Sequence, residues 1–255
     1  MPFTISHAVL APPIAKLTGY RLPISALAIG SMTPDLYRLF TSESYDTSHQ
    51  WQGLIVPNLL IGLAFCLLWY GLYRPVIFRW IGMEKPLDWG SFDKMLGFIL
   101  SVIMALIVGI SSHLIWDGLT HSDFRTFAFE HFLNRPVSLF DNVYPMHRVL
   151  QIGTSILALP FMAWMGVHYY LKHKQVGLVQ AKIKISGLFI VLISLLTAAY
   201  YYFQFLQTLG SNPWSSDLYS FIGRSVNQFS SAFLITFSLG CLLFLFLDRN
   251  RRLGD

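Results

Sequence analysis

The chain has 255 residues, of which 54% are hydrophobic and 12% charged, and its mean hydropathy is +0.53. A soluble domain carries about twice that share of charge, so an ordinary soluble globular protein is excluded and the lipid bilayer is the expected partner. The net charge of +5 is spread over several loops with no sustained basic stripe, which argues against nucleic acid.

Residues 1–50 hold two short apolar stretches, SHAVLAPPIAKL and PISALAIGSMTPDLYRLF, separated by TGYR. Crossing a hydrocarbon core of about 30 Å takes roughly 20 helical residues. Both stretches are therefore expected as short re-entrant or interfacial helices that pack on a bundle. The segment has no basic start, and Pro12-Pro13 breaks its apolar stretch early, so it is expected to be retained rather than cleaved as a signal peptide. Pro34 is expected to interrupt the second helix and leave Asp35 just beyond a bend.

Five apolar runs follow, at about 54–73, 95–116, 149–171, 183–207 and 226–247, each long enough to span. Ahead of the first, DTSHQWQG offers Asp46, Thr47 or Ser48 as a helix N-cap. Residues 74–94 read as a polar, aromatic loop whose Trp80 and Trp89 suit a membrane interface. Cys66 and Cys241 fall inside spans, which argues against a disulfide framework or a thiolate metal site. The expected fold is all-α: a polytopic helical bundle of about five transmembrane helices plus two short N-terminal helices. It forms a single integral-membrane domain over 1–255, with the bundle at 54–247.

Five spans put the N-terminal segment and the 117–148 and 208–225 connections on one side. That side carries seven basic residues, Lys16, Arg21, Arg38, Arg125, Arg135, Arg148 and Arg224. The other carries the remaining eleven, including LKHK and DRNRR, so positive-inside orientation makes it cytoplasmic and the first side extracytoplasmic.

The polar residues are distributed just as unevenly. SSHLIWDGLTH closes the second run and sets His113, Asp117 and His121 at four-residue steps, each about 40° apart around a helix, so that all three lie near one face. Ionisable groups at the end of a span need partners. His7, Asp35, His49, His113, Asp117, His121, His131 and His147 all belong to the first side, which leaves only His168 and His173 elsewhere. Imidazole and carboxylate are ligands of zinc and similar divalent ions. Taken singly, His7 also reads as a capping-region residue and His49 as an interfacial one. His131 and His147 read as structural. Arg125, Arg148 and Arg224 read either as phosphate holders or as snorkelling anchors.

MPFTISHAVLAP, LPISALAIGSMTPDLY, the His49 segment and SSHLIWDGLTH together resemble an uncharacterised bacterial inner-membrane family, a domain of unknown function. That family is similar in turn to predicted membrane-bound metal-dependent hydrolases, and more distantly to the zinc-dependent phospholipase C and P1 nuclease group. The latter resemblance implies that Asp35, His49, His113 and Asp117 hold one zinc, with His7 serving a neighbouring ion and His121 beginning a further site. The distal His and His-x-x-x-Glu ligands of that group have no counterpart here, nor has its N-terminal tryptophan, so one or two ions are expected. The implied activity is hydrolysis of an ester or phosphodiester in a lipid or lipid-linked substrate. The competing reading is a non-catalytic membrane protein whose His/Asp cluster is a structural tie, or a transport or sensing site.

The orientation is testable with single cysteines at Ser122 and Gln175 in a background lacking Cys66 and Cys241. A membrane-impermeant thiol reagent added to intact cells should label position 122 and spare position 175.

Overall fold

The computed structural model describes residues 4–39, 46–84, 86–88, 90–175, 179–208 and 218–249. Trp89, Lys85, Arg251 and Arg252 lie outside the described residues. A short 3-10 segment, Thr4–Leu10, leads into α1 (Ala11–Leu17), and α2 follows at Ile24–Leu36. The long helices are α3 (Trp51–Ile81), α4 (Phe92–Thr120), α6 (Met146–His173), α7 (Ala181–Thr208) and α8 (Leu218–Leu247). Between α4 and α6 lie the single turn α5 (Glu130–Leu133) and a hairpin of β1 (Pro136–Leu139) and β2 (Asn142–Pro145). Among the described residues five helices are long and apolar enough to cross a membrane, so the chain is an all-α, multi-pass helical protein with short N-terminal helices.

The chain divides into two compact units, residues 1–66 with 86–172, and residues 67–85 with 173–255. The second is built around Leu72, Tyr73, Val76, Ile183, Phe237, Cys241 and Phe244. Trp80 packs edge-on against Phe237 and Phe244, and Arg79 pairs with Asp248 at 3.1 Å. Residues 74–81 are therefore the last turns of α3 rather than loop. Pro75 sits where a π-helical stretch, Trp69–Tyr73, passes into those turns.

The first unit depends on how α2 meets α4. The buried residues of α4 recur as Val102, Ala105 and Leu106, Gly109 and Ile110, His113 and Leu114, Asp117 and Gly118, a stripe at three- and four-residue spacing. At 13 residues α2 is about 20 Å long, too short to span, and it buries Ala26, Leu27, Gly30, Ser31 and Thr33. The two backbones touch at their glycines. A Cβ on Gly30 would stand 2.6 Å from the Leu106 carbonyl oxygen, and one on Gly109 would stand 2.5 Å from that of Leu27. Small residues allow such an approach where no hydrophobic force drives helices together in lipid.

Two local expectations change. Pro34 does not end α2, which runs on through Asp35 to Leu36. One backbone bond is lost there, and Thr33 Oγ1 donates to the Ile29 carbonyl at 2.8 Å. None of Asp46, Thr47 and Ser48 caps α3, because Gln50 holds the cap position without a side-chain bond. The chain folds tightly over this entry, where a Cβ on Gly53 would lie 2.0 Å from the Thr47 carbonyl oxygen, and Ser48 is turned towards His49 instead.

Gly109→Ala should lower the melting temperature in detergent by several degrees, an overpacking cost of about 1–3 kcal/mol. Gly97→Ala in the same helix, with nothing within 4 Å of its added methyl, should not. A melting temperature for Gly109→Ala equal to that of Gly97→Ala would show that the crossing is looser than described.

Candidate metal centre

The stripe that buries α4 turns polar at its C-terminal end, so His113 and Asp117 enter the interior by the same periodicity that buries Leu106 and Ile110. His113 Nδ1 lies 2.8 Å from the backbone carbonyl oxygen of Ser31 on α2. A carbonyl only accepts, so this nitrogen carries the proton and, in a neutral ring, Nε2 holds the lone pair. Nε2 is buried, makes no hydrogen bond, and faces Asp117 Oδ2 at 3.5 Å. A lone pair aimed at a carboxylate is repulsive unless a proton or a cation lies between them. Metal-ligating histidines are commonly held this way, with the second ring nitrogen donating to a carbonyl.

Three other elements bring groups to the same place. Ser6 Oγ donates to the Ser155 carbonyl of α6 at 3.2 Å, fixing the N-terminal segment so that the His7 ring stacks on His113 with centroids 3.8 Å apart. His7 Nε2 is 3.7 Å from Asp117 Oδ1. Asp35, in the last turn of α2, sets Oδ1 3.3 Å from His49 Nε2, which is also 3.8 Å from Asp117 Oδ2. Ser48 Oγ meets His49 Nδ1 at 3.0 Å, and the Asn58 amide of α3 donates to the Ser48 carbonyl at 2.7 Å. Two triplets result, His7 with Asp35 and His113, and His49 with His113 and Asp117. In each, the candidate ligand atoms lie within 4.8 Å of one another. Metal bonds of about 2 Å suit separations of this order, and the shared His113 makes the two triplets adjoining halves of one cluster.

His121 is close but differently placed. α4 ends at Thr120, so His121 is an extended C-cap residue rather than the next step on the helical face. Its Nδ1 lies 3.5 Å from Asp117 Oδ1 and 3.2 Å from the Asp117 carbonyl oxygen, and it belongs to neither triplet. Beyond it the chain folds back. The Phe127 amide reaches the Gly118 carbonyl, and a Cβ on Gly118 would lie 2.1 Å from the Phe127 ring. That fold carries Arg125 onto Asp117 Oδ2 at 3.1 Å, with its other edge on Asp123.

At His7, His49, His121 and Asp35 the electrostatics favour the deprotonated forms that ligands need. Burial pulls His7 well below the usual imidazole value, and it lowers His49 despite the hydrogen bond that His49 donates to Asp35. Burial also takes His121 down to about 4 against the attraction of Asp117. For Asp35, burial opposes ionisation, yet His113, His49 and His7 together outweigh it and hold the carboxyl far below the ordinary range. Of the groups named, Asp35, Asp117 and Asp123 are carboxylates and Arg125 is the one guanidinium.

The remaining histidines stay apart from this geometry. His131 is exposed on α5, His147 meets only Gln151 among the bonds described, and His168 is exposed on α6 beside Trp164. Sequence reasoning did not reach the supports: Ser31, Ser48, Asn58, and Gln151, whose amide donates to the Thr120 carbonyl at 2.9 Å. Arg125 acts as neither a snorkelling anchor nor an open phosphate holder, since two carboxylates engage it. The signal for Arg125 was Gly118, a residue that admits the returning chain.

A family model for a domain of unknown function, DUF4184, matches residues 1–246, and the chain belongs to that family. No curated protein and no solved structure matches it.

Arg125→Ala should destabilise the protein by about 2–3 kcal/mol, because it strips a buried carboxylate of its guanidinium. In an Asp117→Asn background the same change should cost less by at least about 1 kcal/mol. Thermal unfolding of the four variants of this cycle measures the coupling, and additive effects would show that the pair contributes nothing.

Proposed function

We propose that this protein is a multi-pass, metal-dependent hydrolase of the bacterial inner membrane, acting on an ester or phosphodiester of a lipid or lipid-linked substrate. The ion is zinc or a similar divalent metal, one or two per chain, and the site faces the extracytoplasmic side. The observation that carries this reading is His113: one nitrogen donates to a carbonyl, and the other is buried, without a hydrogen bond, and directed at a carboxylate. His49 and Asp117 complete one ligand set with it, and His7 and Asp35 an alternative one, since its single lone pair serves one ion. Oxygen and imidazole donors in this mixture suit zinc. The lipid substrate follows from the setting, in the first unit of a chain with five helices apolar enough to span, and the hydrolytic chemistry from the motif order described above.

A bound divalent ion would supply Lewis acidity and bring the pKa of a bound water towards about 7. The residues of the chain would do the rest. Ser31 and Ser48 orient the two imidazoles of the second triplet, and Arg125 holds the Asp117 carboxylate in place while sharing its Oδ2. His121, beside Asp117 and outside both triplets, is positioned to exchange a proton at Nε2 while Nδ1 stays near the Asp117 carbonyl.

A second reading has its own support. Arg125 already lies on the Asp117 oxygen that faces His49 and His113, which is what a purely structural charge tie requires. In that case two imidazole protons, rather than an ion, offset the carboxylates.

Metal content separates the two. Protein purified without chelator should carry at least one zinc-like ion per chain and hydrolyse a phosphodiester or phospholipid analogue, and a chelator should remove both. His113→Ala and Asp117→Ala should lose the ion, whereas His168→Ala should keep it. Folded protein that is free of metal and takes up no added zinc would overturn the hydrolase reading and leave the tie.

A further inference from the structure

We infer that, from Phe124 to Tyr144, the α4–α6 connection is not a water-exposed loop but a lip seated in the headgroup layer of the bilayer, with the β1–β2 hairpin as its inserted tip. This inference concerns how the connection meets lipid and does not depend on the hydrolase reading. Both ends of the connection emerge from helices long enough to span, Phe92–Thr120 and Met146–His173, so it lies at the membrane boundary. Its composition is wrong for water. Phe124, Phe127, Phe129 and Phe132 are exposed along it, and Phe140 at the hairpin tip is 94% exposed.

The hairpin itself points the same way. Its strands pair only four residues deep, from Pro136 opposite Pro145 to Leu139 opposite Asn142, and side chains on both faces are exposed. An isolated two-stranded hairpin is marginal in water. The turn places Phe140 and Asp141 at φ 49° and 64°, a geometry that Asn and Gly adopt at low cost and a bulky aromatic does not. A phenylalanine held there against its backbone preference, with almost none of its surface covered, fits a role for the ring outside the chain.

The occupant is lipid because the pattern matches an interfacial belt: aromatic rings interleaved with polar groups, and Arg135 and Arg148 flanking the hairpin. Asp141 beside Phe140 limits the depth to the headgroup region, since a carboxylate resists the hydrocarbon core. The lip continues without a break into the turn that carries Arg125 onto Asp117. On the hydrolase reading it would therefore deliver headgroups to the site.

The test uses the full chain without Cys66 and Cys241, reconstituted in vesicles of phosphatidylcholine and phosphatidylglycerol. Bimane is attached at Phe140→Cys, at Val143→Cys, or at Lys174→Cys as a water-exposed reference. Lipid bearing a nitroxide high on its acyl chain should quench positions 140 and 143 several-fold more than position 174. Iodide, present on both faces, should quench position 174 several-fold more than the other two. Iodide quenching at 140 and 143 equal to that at 174 would put the hairpin in water and overturn the proposal. Protection of both positions from lipid and iodide alike would also overturn it, by showing a protein partner or second copy over the tip. Metal binding is not read in this experiment, so its outcome is separate from that of the hydrolase reading.

Discussion

A carboxylate taken out of water inside a helical membrane protein sets the terms for everything around it. Asp117 is 2% exposed, and four imidazoles and a guanidinium stand within 3.8 Å of its oxygens. No single contact among these is short enough or strong enough to offset the cost of burying the charge alone. Satisfying it takes five segments of chain: the Thr4–Leu10 turn, the residues before α3, α4 itself, its C-cap, and the loop that returns over Gly118. Asp35 repeats the problem one residue from the end of α2 and draws on the same imidazoles. The two short N-terminal helices make sense in this light. They cannot cross the bilayer, and their buried contribution is to hold His7, Ser31 and Asp35 against the polar end of α4.

The glycine contact between α2 and α4 is what makes that possible. Gly30 is adjacent to Ser31, the carbonyl acceptor of His113, and Gly109 is one turn before His113 on the opposing helix. A side chain at either glycine would hold the backbones apart, and the hydrogen bond that fixes the His113 tautomer would lengthen with them. Packing and chemistry are thus coupled at one crossing.

Much of this was legible in the sequence, for a physical reason. A stripe repeating every three or four residues must face one way, so an apolar series that continues into His113 and Asp117 announces a buried polar end before any partner is known. The five spans were legible because hydrocarbon thickness sets a minimum run length. What the sequence concealed was contact between segments far apart in the chain. Neither Ser31 as acceptor nor Gly30 as contact point carries a local signal. His121 misled because the four-residue spacing holds only while the helix continues, and Thr120 is its last residue. Pro34 misled in the opposite sense, since it removes one backbone bond without stopping the helix, which runs on to Leu36.

The same reasoning separates what is required from what is chosen at this cluster. Charge balance alone would be met by fewer groups. A single lysine or a second arginine opposite Asp117 would neutralise it, and replacing the whole polar set with apolar residues of similar volume would avoid the desolvation cost. The chain instead surrounds two carboxylates mainly with imidazoles, and burial favours the neutral form at His7 and His49. It also fixes ring orientation from behind, with Ser31 on His113 and Ser48 on His49. A tie gains little from neutral, oriented imidazoles, whereas a site that must present lone pairs to a common point gains from both. That asymmetry, more than the number of polar residues, is what favours the proposed ion over a buried salt bridge.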